Sequence, residues 1–177
     1  MADYVLKKFE NLDSTSAKAK ELAAGGAAAW TVVLAEKQEM GYGRKGNAWY
    51  SPEGGLYFSV ILPKSNIDDL QIMTILAAFS VAKTIKEQFG VEPFVKLPND
   101  VYLNGKKVCG VLTENVISGD IKSSVIGIGI NTNISYFPGD LATATSLKIE
   151  LGKTIDNDVI LEQSISQLQL IFKSISQ

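Results

Sequence analysis

The segment VYLNGKKVCGVLTENVISGDIKSSVIGIGI, residues 101–130, contains two long runs of apolar residues connected by short polar turns. Asn104-Gly105 suits the type I′ turn of a tight hairpin, and residues 118–120 supply a second turn. The segment therefore predicts antiparallel strands joined by hairpins. Gly127 and Gly129 interrupt the last strand, which indicates either a bulge or a place where another group passes close to the backbone.

Strands and helices alternate on both sides of this segment. β-branched or alternating runs predict further strands at residues 5–10, 30–37, 56–63 and 93–100. Helical spacing predicts helices at residues 11–26, 66–90 and 157–175. The first has Asp13 or Ser14 as its N-cap and Gly25-Gly26 as its stop, and the second has acids early and Gly90 at its end. The fold class is α+β, a mixed, largely antiparallel β-sheet packed with helices.

Composition excludes several kinds of function. The chain has 177 residues, enough for one domain, and a net charge of −2 with a pI near 5.2, which argues against a nucleic-acid partner. The sequence contains neither a run of about 18 apolar residues nor a signal-peptide core, so no membrane association and a cytoplasmic location are expected. There is no histidine, which excludes Ser-His-Asp and Cys-His catalysis. The single cysteine, Cys109, is expected to be a buried apolar residue.

A glycine-rich segment, EKQEMGYGRKGNAWYSPEGG at residues 36–55, is the first candidate for binding chemistry. Gly41, Gly43 and Gly46 flank Arg44 and Lys45. Glycines let a backbone approach a ligand closely, and a fixed guanidinium can clamp a phosphate or a carboxylate. The alternative is a surface loop with solvated charges. The spacing does not match a Walker A loop.

The motif KLPND, residues 96–100, is the second candidate. Lys96 follows an apolar run, so its ammonium group is expected at a strand end, where it could neutralise a developing negative charge. Asn99 and Asp100 offer oxygen atoms suited to a Mg²⁺ ion that arrives with a nucleotide. The alternative is a polar turn with a solvated lysine.

Two further motifs offer neutral polar groups. DSTS at residues 13–16 places three hydroxyls at a helix start, where they could cap the helix, bind a ligand, or do both. GIGINTN at residues 127–133 carries Asn131 and Asn133, which could reach a polar ligand. Trp49 lies beside the glycine-rich segment and could stack on a base, whereas Trp30 and Trp49 could also be core residues.

In this order, from Leu12 to about Leu147, the motifs DSTS, AEKQEMGYGRKGNAW, KLPNDVYLNGKKVCGVLTE, GIGINTN and ATSL resemble the catalytic domain of biotin protein ligases, a class II aminoacyl-tRNA synthetase-like fold. The resemblance implies an ATP-dependent ligase that converts biotin and Mg-ATP to biotinyl-5′-AMP. The biotinyl group would then pass to a lysine of the biotin carboxyl carrier domain of a biotin-dependent carboxylase. Mg²⁺ would enter with ATP, and no permanently bound cofactor is implied.

The same resemblance implies roles for individual residues. Lys96 and Arg44 would be catalytic, with Lys96 holding the biotin carboxylate beside the α-phosphate and Arg44 facing phosphate. Asn99 would contact Mg²⁺ through ATP. The glycine-rich segment would fold over the adenylate and exclude water. The residues expected to bind biotin or its adenylate are Ser14, Thr15, Ser16, Gln38, Gly41, Tyr42, Gly43, Arg44, Lys45, Trp49, Lys96, Gly110 and Asn131.

The chain departs from the family pattern at three places. Asn47 stands where a further Arg is usual, and Leu97 replaces a usual Trp. Residues 1–177 are expected to form a catalytic domain with neither an N-terminal DNA-binding domain nor the usual C-terminal β domain. Two alternatives remain open: a biotin-binding module without turnover, and a lipoate or octanoyl transferase, whose signature includes a histidine. The strand at residues 123–134 could be an exposed edge that pairs across a homodimer.

Overall fold

The computed structural model describes residues 3–63, 70–118 and 121–175. Within these ranges seven strands form one sheet with the order β1-β2-β3-β7-β6-β5-β4. β1 and β2 are parallel, and every other neighbouring pair is antiparallel, which confirms the predicted class. The strands are β1 (Val5–Leu12), β2 (Thr31–Gln38), β3 (Leu56–Ile61), β4 (Phe94–Lys96), β5 (Asp100–Leu103), β6 (Lys106–Ser118) and β7 (Ile121–Ile130).

The described part of the chain forms four α-helices, α1 (Thr15–Ala24), α2 (Leu70–Phe89), α3 (Leu147–Leu151) and α4 (Asn157–Ile175). Ser14 caps α1 by accepting a hydrogen bond from the Ala17 amide, and Gly25 ends the helix, as predicted. The short helix α3 was not predicted. The acidic residues predicted at the start of α2 lie outside the described residues, as do Gly119 and Asp120 of the second predicted turn.

The two faces of the sheet have different partners. One face packs against α2 and α4, and alternate strand residues such as Phe58, Ile126 and Ile128 fill this larger core. Burying each such side chain stabilises the fold by about 1.5–3 kcal/mol. The opposite face packs against α1 through a smaller cluster that includes Val33 and Val125. This shorter helix leaves the middle of β6 and β7 free to line a cavity.

The hairpin predictions have different outcomes. Asn104 and Gly105 have φ values of 50° and 78°, as the predicted type I′ turn requires. β7, however, lies between β3 and β6, so the prediction that it forms an exposed dimer edge is wrong. The outer strands of the sheet are β1 and β4. None of the helices in the described ranges is long and apolar enough to span a bilayer.

Candidate functional site

A cavity of about 340 Å³ lies between the start of α1, the glycine-rich segment and the free face of β6 and β7. Many of the residues singled out in the sequence line it, together with Asn47 and Asn99. The predicted binding residues that line the cavity are Ser14, Thr15, Ser16, Gln38, Tyr42, Gly43, Arg44, Lys45, Trp49 and Gly110. The structure therefore brings together motifs that are distant in the chain, from Ser14 to Gly129.

Residues 41–49, here called the flap, form a small hairpin over this cavity. The Gly43 amide donates to the Asn47 carbonyl at 2.8 Å, and the Trp49 amide donates to the Gly41 carbonyl at 2.8 Å. At the tip, Lys45 and Gly46 have φ values of 58° and 74°, so the tight turn uses the left-handed conformation that Gly46 adopts without strain. Backbone hydrogen bonds between the two arms of the hairpin therefore stabilise the flap as a unit.

Three glycines, Gly110, Gly127 and Gly129, make a flat surface here called the glycine floor. Gly110 and Gly129 are register partners on adjacent strands, and Trp49 lies directly on them. A Cβ added to Gly129 would lie 2.3 Å from Trp49 Nε1, and one added to Gly110 would lie 3.0 Å from Trp49 Cζ3. Close approach of another group, rather than a bulge in β7, therefore explains the glycines in this strand.

At one end of the cavity, uncharged polar groups are held in fixed positions. Gln38 Oε1 accepts hydrogen bonds from the Thr15 amide at 2.8 Å and from Thr15 Oγ1 at 3.0 Å. Ser59 Oγ donates to Thr15 Oγ1 at 2.9 Å and lies 3.1 Å from Ser16 Oγ. Sequence reasoning missed Ser59, although a lone serine in the apolar strand β3 was the available signal.

The other end of the cavity is charged. Lys107 Nζ lies 2.6 Å from Asp100 Oδ1 and 5.2 Å from the centre of a Trp49 ring. Asn99 Nδ2 donates to Asp100 Oδ1 at 2.9 Å, and Arg44 Nη1 donates to Asn99 Oδ1 at 3.3 Å. A continuous chain of polar contacts thus connects the flap tip to a cavity-facing ammonium group.

Lys96, the lysine expected at the centre of the site, does not line the cavity. Lys96 ends the edge strand β4, is exposed, and places Nζ 5.3 Å from the centre of the Tyr102 ring. Two other expected positions also differ. Gly41 borders a separate groove behind the flap. Asn131 is buried and donates to the Thr145 carbonyl at 2.9 Å, so it supports the loop that follows β7.

A bulge in β6 explains why Lys107 enters the cavity. Val101 pairs with Cys109 whereas Tyr102 pairs with Lys107, which leaves Val108 without a partner on β5. Val108 and Cys109 both point into the larger core, so the alternation of side chains shifts by one residue. Lys107 then falls on the same face as Gly110. Its backbone also pairs with residues Thr143 and Thr145, at 2.9 Å in each case.

The remaining groups considered in the sequence are Cys109 and the possible Mg²⁺ ligands Asn99 and Asp100. Burial raises the pKa of the Cys109 thiol, so this fully buried side chain stays protonated at neutral pH and confirms the predicted apolar role. Asn99 and Asp100 face the cavity, but the described residues contain no cluster of three or more acidic or Cys side chains that could hold a metal ion by itself.

Comparisons with known proteins agree with the fold and with the clustered motifs. The model of the Biotin/lipoate A/B protein ligase family matches residues 9–131. The chain is 41% identical over 157 residues to the bifunctional ligase/repressor BirA of Bacillus subtilis, covering 85% of this chain and 48% of that protein. It is 36% identical over 124 residues to the biotin–[acetyl-CoA-carboxylase] ligase of Paracoccus denitrificans, covering 67% of this chain and 51% of that protein.

A solved structure extends the agreement to three dimensions. The biotin protein ligase from Aquifex aeolicus in complex with biotin and ATP superposes with a TM-score of 0.88 at 33% identity, covering 97% of this chain and 72% of that one. The chain spans about half the length of the curated relatives it matches. The family match over residues 9–131 and these similarities show that the chain belongs to the biotin/lipoate A/B protein ligase family.

Proposed function

We propose that this chain activates biotin with ATP to give biotinyl-5′-AMP and then transfers the biotinyl group to a lysine of a biotin carboxyl carrier domain. Support comes from a relative that is named as a biotin–[acetyl-CoA-carboxylase] ligase and from a similar structure in complex with biotin and ATP. The cavity has matching chemistry, with a neutral polar end beside Thr15, an apolar stretch beside Leu112 and Trp49, and a charged end beside Lys107. A ureido ring, an aliphatic chain and a phosphate need these three environments in turn.

The observation that carries this proposal is the position of Lys107. Its ammonium group belongs to the cavity and lies at the charged end, within reach of the flap. When the biotin carboxylate attacks the α-phosphorus of ATP, the bond to pyrophosphate breaks and negative charge builds up on the phosphoryl oxygens. A fixed ammonium at this point stabilises that charge. We therefore assign to Lys107 the role that the sequence had suggested for Lys96.

The flap would protect the product of the first step. Biotinyl-5′-AMP is a mixed anhydride that water hydrolyses, so the site must exclude solvent until the acceptor lysine arrives. Arg44 at the flap tip would contact phosphate, and Trp49 would cover the ring systems. Asn99 and Asp100 would contact Mg²⁺ brought in by ATP. In the second step the acceptor amine attacks the acyl carbon, and AMP leaves.

Biotin-dependent exchange of pyrophosphate into ATP tests the first step. We expect the parent protein to catalyse this exchange. The exchange rate should fall by about 100-fold or more in Lys107→Met, and it should stay within about twofold of the parent rate in Lys96→Met. The two variants are matched, because each replaces one lysine of the neighbouring strands β4 to β6 by methionine. Parent-like exchange by Lys107→Met would contradict the assigned role, and exchange that responds to lipoate instead of biotin would contradict the proposed substrate.

Transfer of labelled biotin to a purified carrier domain tests the second step. We expect the parent protein to label one lysine of that domain when ATP is present. Tight biotin binding without exchange or transfer would contradict the proposed activity and favour a binding module.

A further inference from the structure

Three side chains from separate elements meet at the edge of the cavity beyond Leu112. Lys20 Nζ of α1 donates to Glu114 Oε1 of β6 at 2.7 Å. Tyr42 Oη of the flap donates to Glu114 Oε2 at 2.9 Å. The ammonium group of Lys20 also lies 5.5 Å from the centre of the Tyr42 ring. The single carboxylate of Glu114 therefore connects the helix to the flap across two separate hydrogen bonds.

The surroundings of this group strengthen the contact. The side chains of Lys20 and Glu114 are only 31% and 25% exposed, so water screens their charges less than it screens a fully solvated pair. Burial would lower the pKa of Lys20, yet its contacts with Glu114 and Tyr42 outweigh burial and raise it. Burial also raises the pKa of Tyr42. At neutral pH the lysine therefore remains charged and the phenol remains a hydrogen-bond donor.

The contact of Tyr42 with Glu114 also constrains the other residues of the flap. Tyr42 forms an antiparallel bridge with Ala48, next to Trp49, so holding one arm of the flap also holds the other. Another hydrogen bond of the flap, from Arg44 to Asn99 in the loop between β4 and β5, is longer at 3.3 Å and is exposed. Glu114 accepts the stronger, charge-assisted hydrogen bond of the two.

We propose that Lys20 and Glu114 are positioning residues that hold Tyr42, and with it the flap, over the cavity. Lys20 orients the carboxylate of Glu114, and Glu114 binds the Tyr42 hydroxyl. This contact sets how long the acyl-adenylate stays inside the site, a role that rests on the proposed function. Neither residue contacts the reacting atoms, so the effect is expected on retention of the intermediate and much less on its rate of formation.

The test uses Tyr42→Phe, Glu114→Gln and Lys20→Met, with Lys18→Met as the matched control. Lys18 pairs with Glu21 at 2.7 Å on the same helix, so the control removes an ion pair that does not involve the flap. The first measurement is amide hydrogen exchange of residues 41–49 in the ligand-free protein. We expect exchange about five- to tenfold faster in the three variants and unchanged in the control.

The second measurement is the rate at which preformed biotinyl-5′-AMP escapes after dilution. We expect escape to be about fivefold faster in Glu114→Gln, with pyrophosphate exchange at saturating substrates within about twofold of the parent. The double variant Tyr42→Phe/Glu114→Gln should leak no faster than Tyr42→Phe alone, because Tyr42→Phe already removes the hydrogen bond that Glu114→Gln weakens.

The outcomes separate the two proposals. Parent-like hydrogen exchange of residues 41–49 in Tyr42→Phe and Glu114→Gln would overturn the positioning role. Faster hydrogen exchange spread evenly over the whole sheet would also overturn it, because this result would indicate a purely structural contact. If the parent protein makes no adenylate, the proposed activity fails, yet hydrogen exchange still decides whether these residues hold the flap.

Discussion

Gly129→Ala is expected to impair the binding site while it leaves the stability of the fold nearly unchanged. The added methyl group would lie 2.3 Å from Nε1 and 2.6 Å from Cε2 of Trp49. The indole would have to move by about 1.1 Å to reach an ordinary contact of 3.4 Å. Because Gly129 does not have a positive φ, the backbone of β7 accepts alanine without strain. Removing a strand glycine reduces the entropy lost on folding and is worth about 0.5–1 kcal/mol.

The substitution therefore displaces the flap, through Trp49, rather than straining β7. We expect the melting temperature to stay within about 3 °C of the parent value, because the gain in the strand offsets the lost contact with Trp49. Under the proposed function Trp49 covers the ligand. Displacing its ring by about 1 Å should then reduce kcat/KM for adenylate formation by on the order of 10- to 100-fold. Pyrophosphate exchange measures the activity, and thermal unfolding measures the stability.

Gly139→Ala is the matched control, since its added methyl group would meet no atom within 4 Å. This control should keep the parent activity. If Gly129→Ala had the activity and melting temperature of the parent, then Trp49 would not lie on the glycine floor when substrates bind, and the reasoning would be refuted.

Of three other predictions, two concern the ends of the cavity and the third concerns Glu150 in α3. Arg44→Ala should release biotinyl-5′-AMP faster, because the flap tip loses its contact with phosphate. Retention of biotinyl-5′-AMP, measured by rapid filtration, checks this. Unchanged retention would argue against a lid. Ser59→Ala should weaken biotin binding about tenfold in calorimetry, because Thr15 and Ser16 lose a shared partner; parent-like affinity would show that the polar network does not orient the ligand. Hydrogen bonds from Thr145 and Asn104 lower the pKa of Glu150, so its carboxylate stabilises the fold above the ordinary pKa near 4.5, and this contribution is lost as the pH falls through the lowered pKa. Urea denaturation should accordingly find Glu150→Gln less stable than the parent at pH 7, with the difference shrinking as the pH falls below 4.5. A difference that does not change with pH would contradict this.

Local sequence signals predicted much of the fold. The Asn104-Gly105 turn has the positive φ angles that its residues favour, and Ser14 caps α1 as its position before the helix suggested. The apolar run of β3 predicts a buried strand, and all six of its residues are buried. The order of strands has no local signal in the sequence. The possibility that β7 is an exposed edge is therefore wrong, because β7 lies between β3 and β6.

The site was harder to predict, because it depends on register. Both Lys96 and Lys107 lie beside strand ends in the sequence, and only the bulge at Val108 turns Lys107 toward Gly110. A bulge of this kind depends on pairing with a distant strand and leaves no local signal. Residues that share one loop or one helix start, such as Arg44 and Thr15, were placed correctly beside the cavity.

The pairing of Gly110 with Gly129 has a consequence for how this site could evolve or be redesigned. Both positions lie at the same height on neighbouring strands, and the same indole covers both. Enlarging either residue alone creates a clash that a smaller aromatic neighbour could relieve. If the proposed function holds, a variant that accepts an altered vitamin would therefore need coordinated changes in the sheet and in residue 49. Libraries that randomise one codon at a time would miss such combinations.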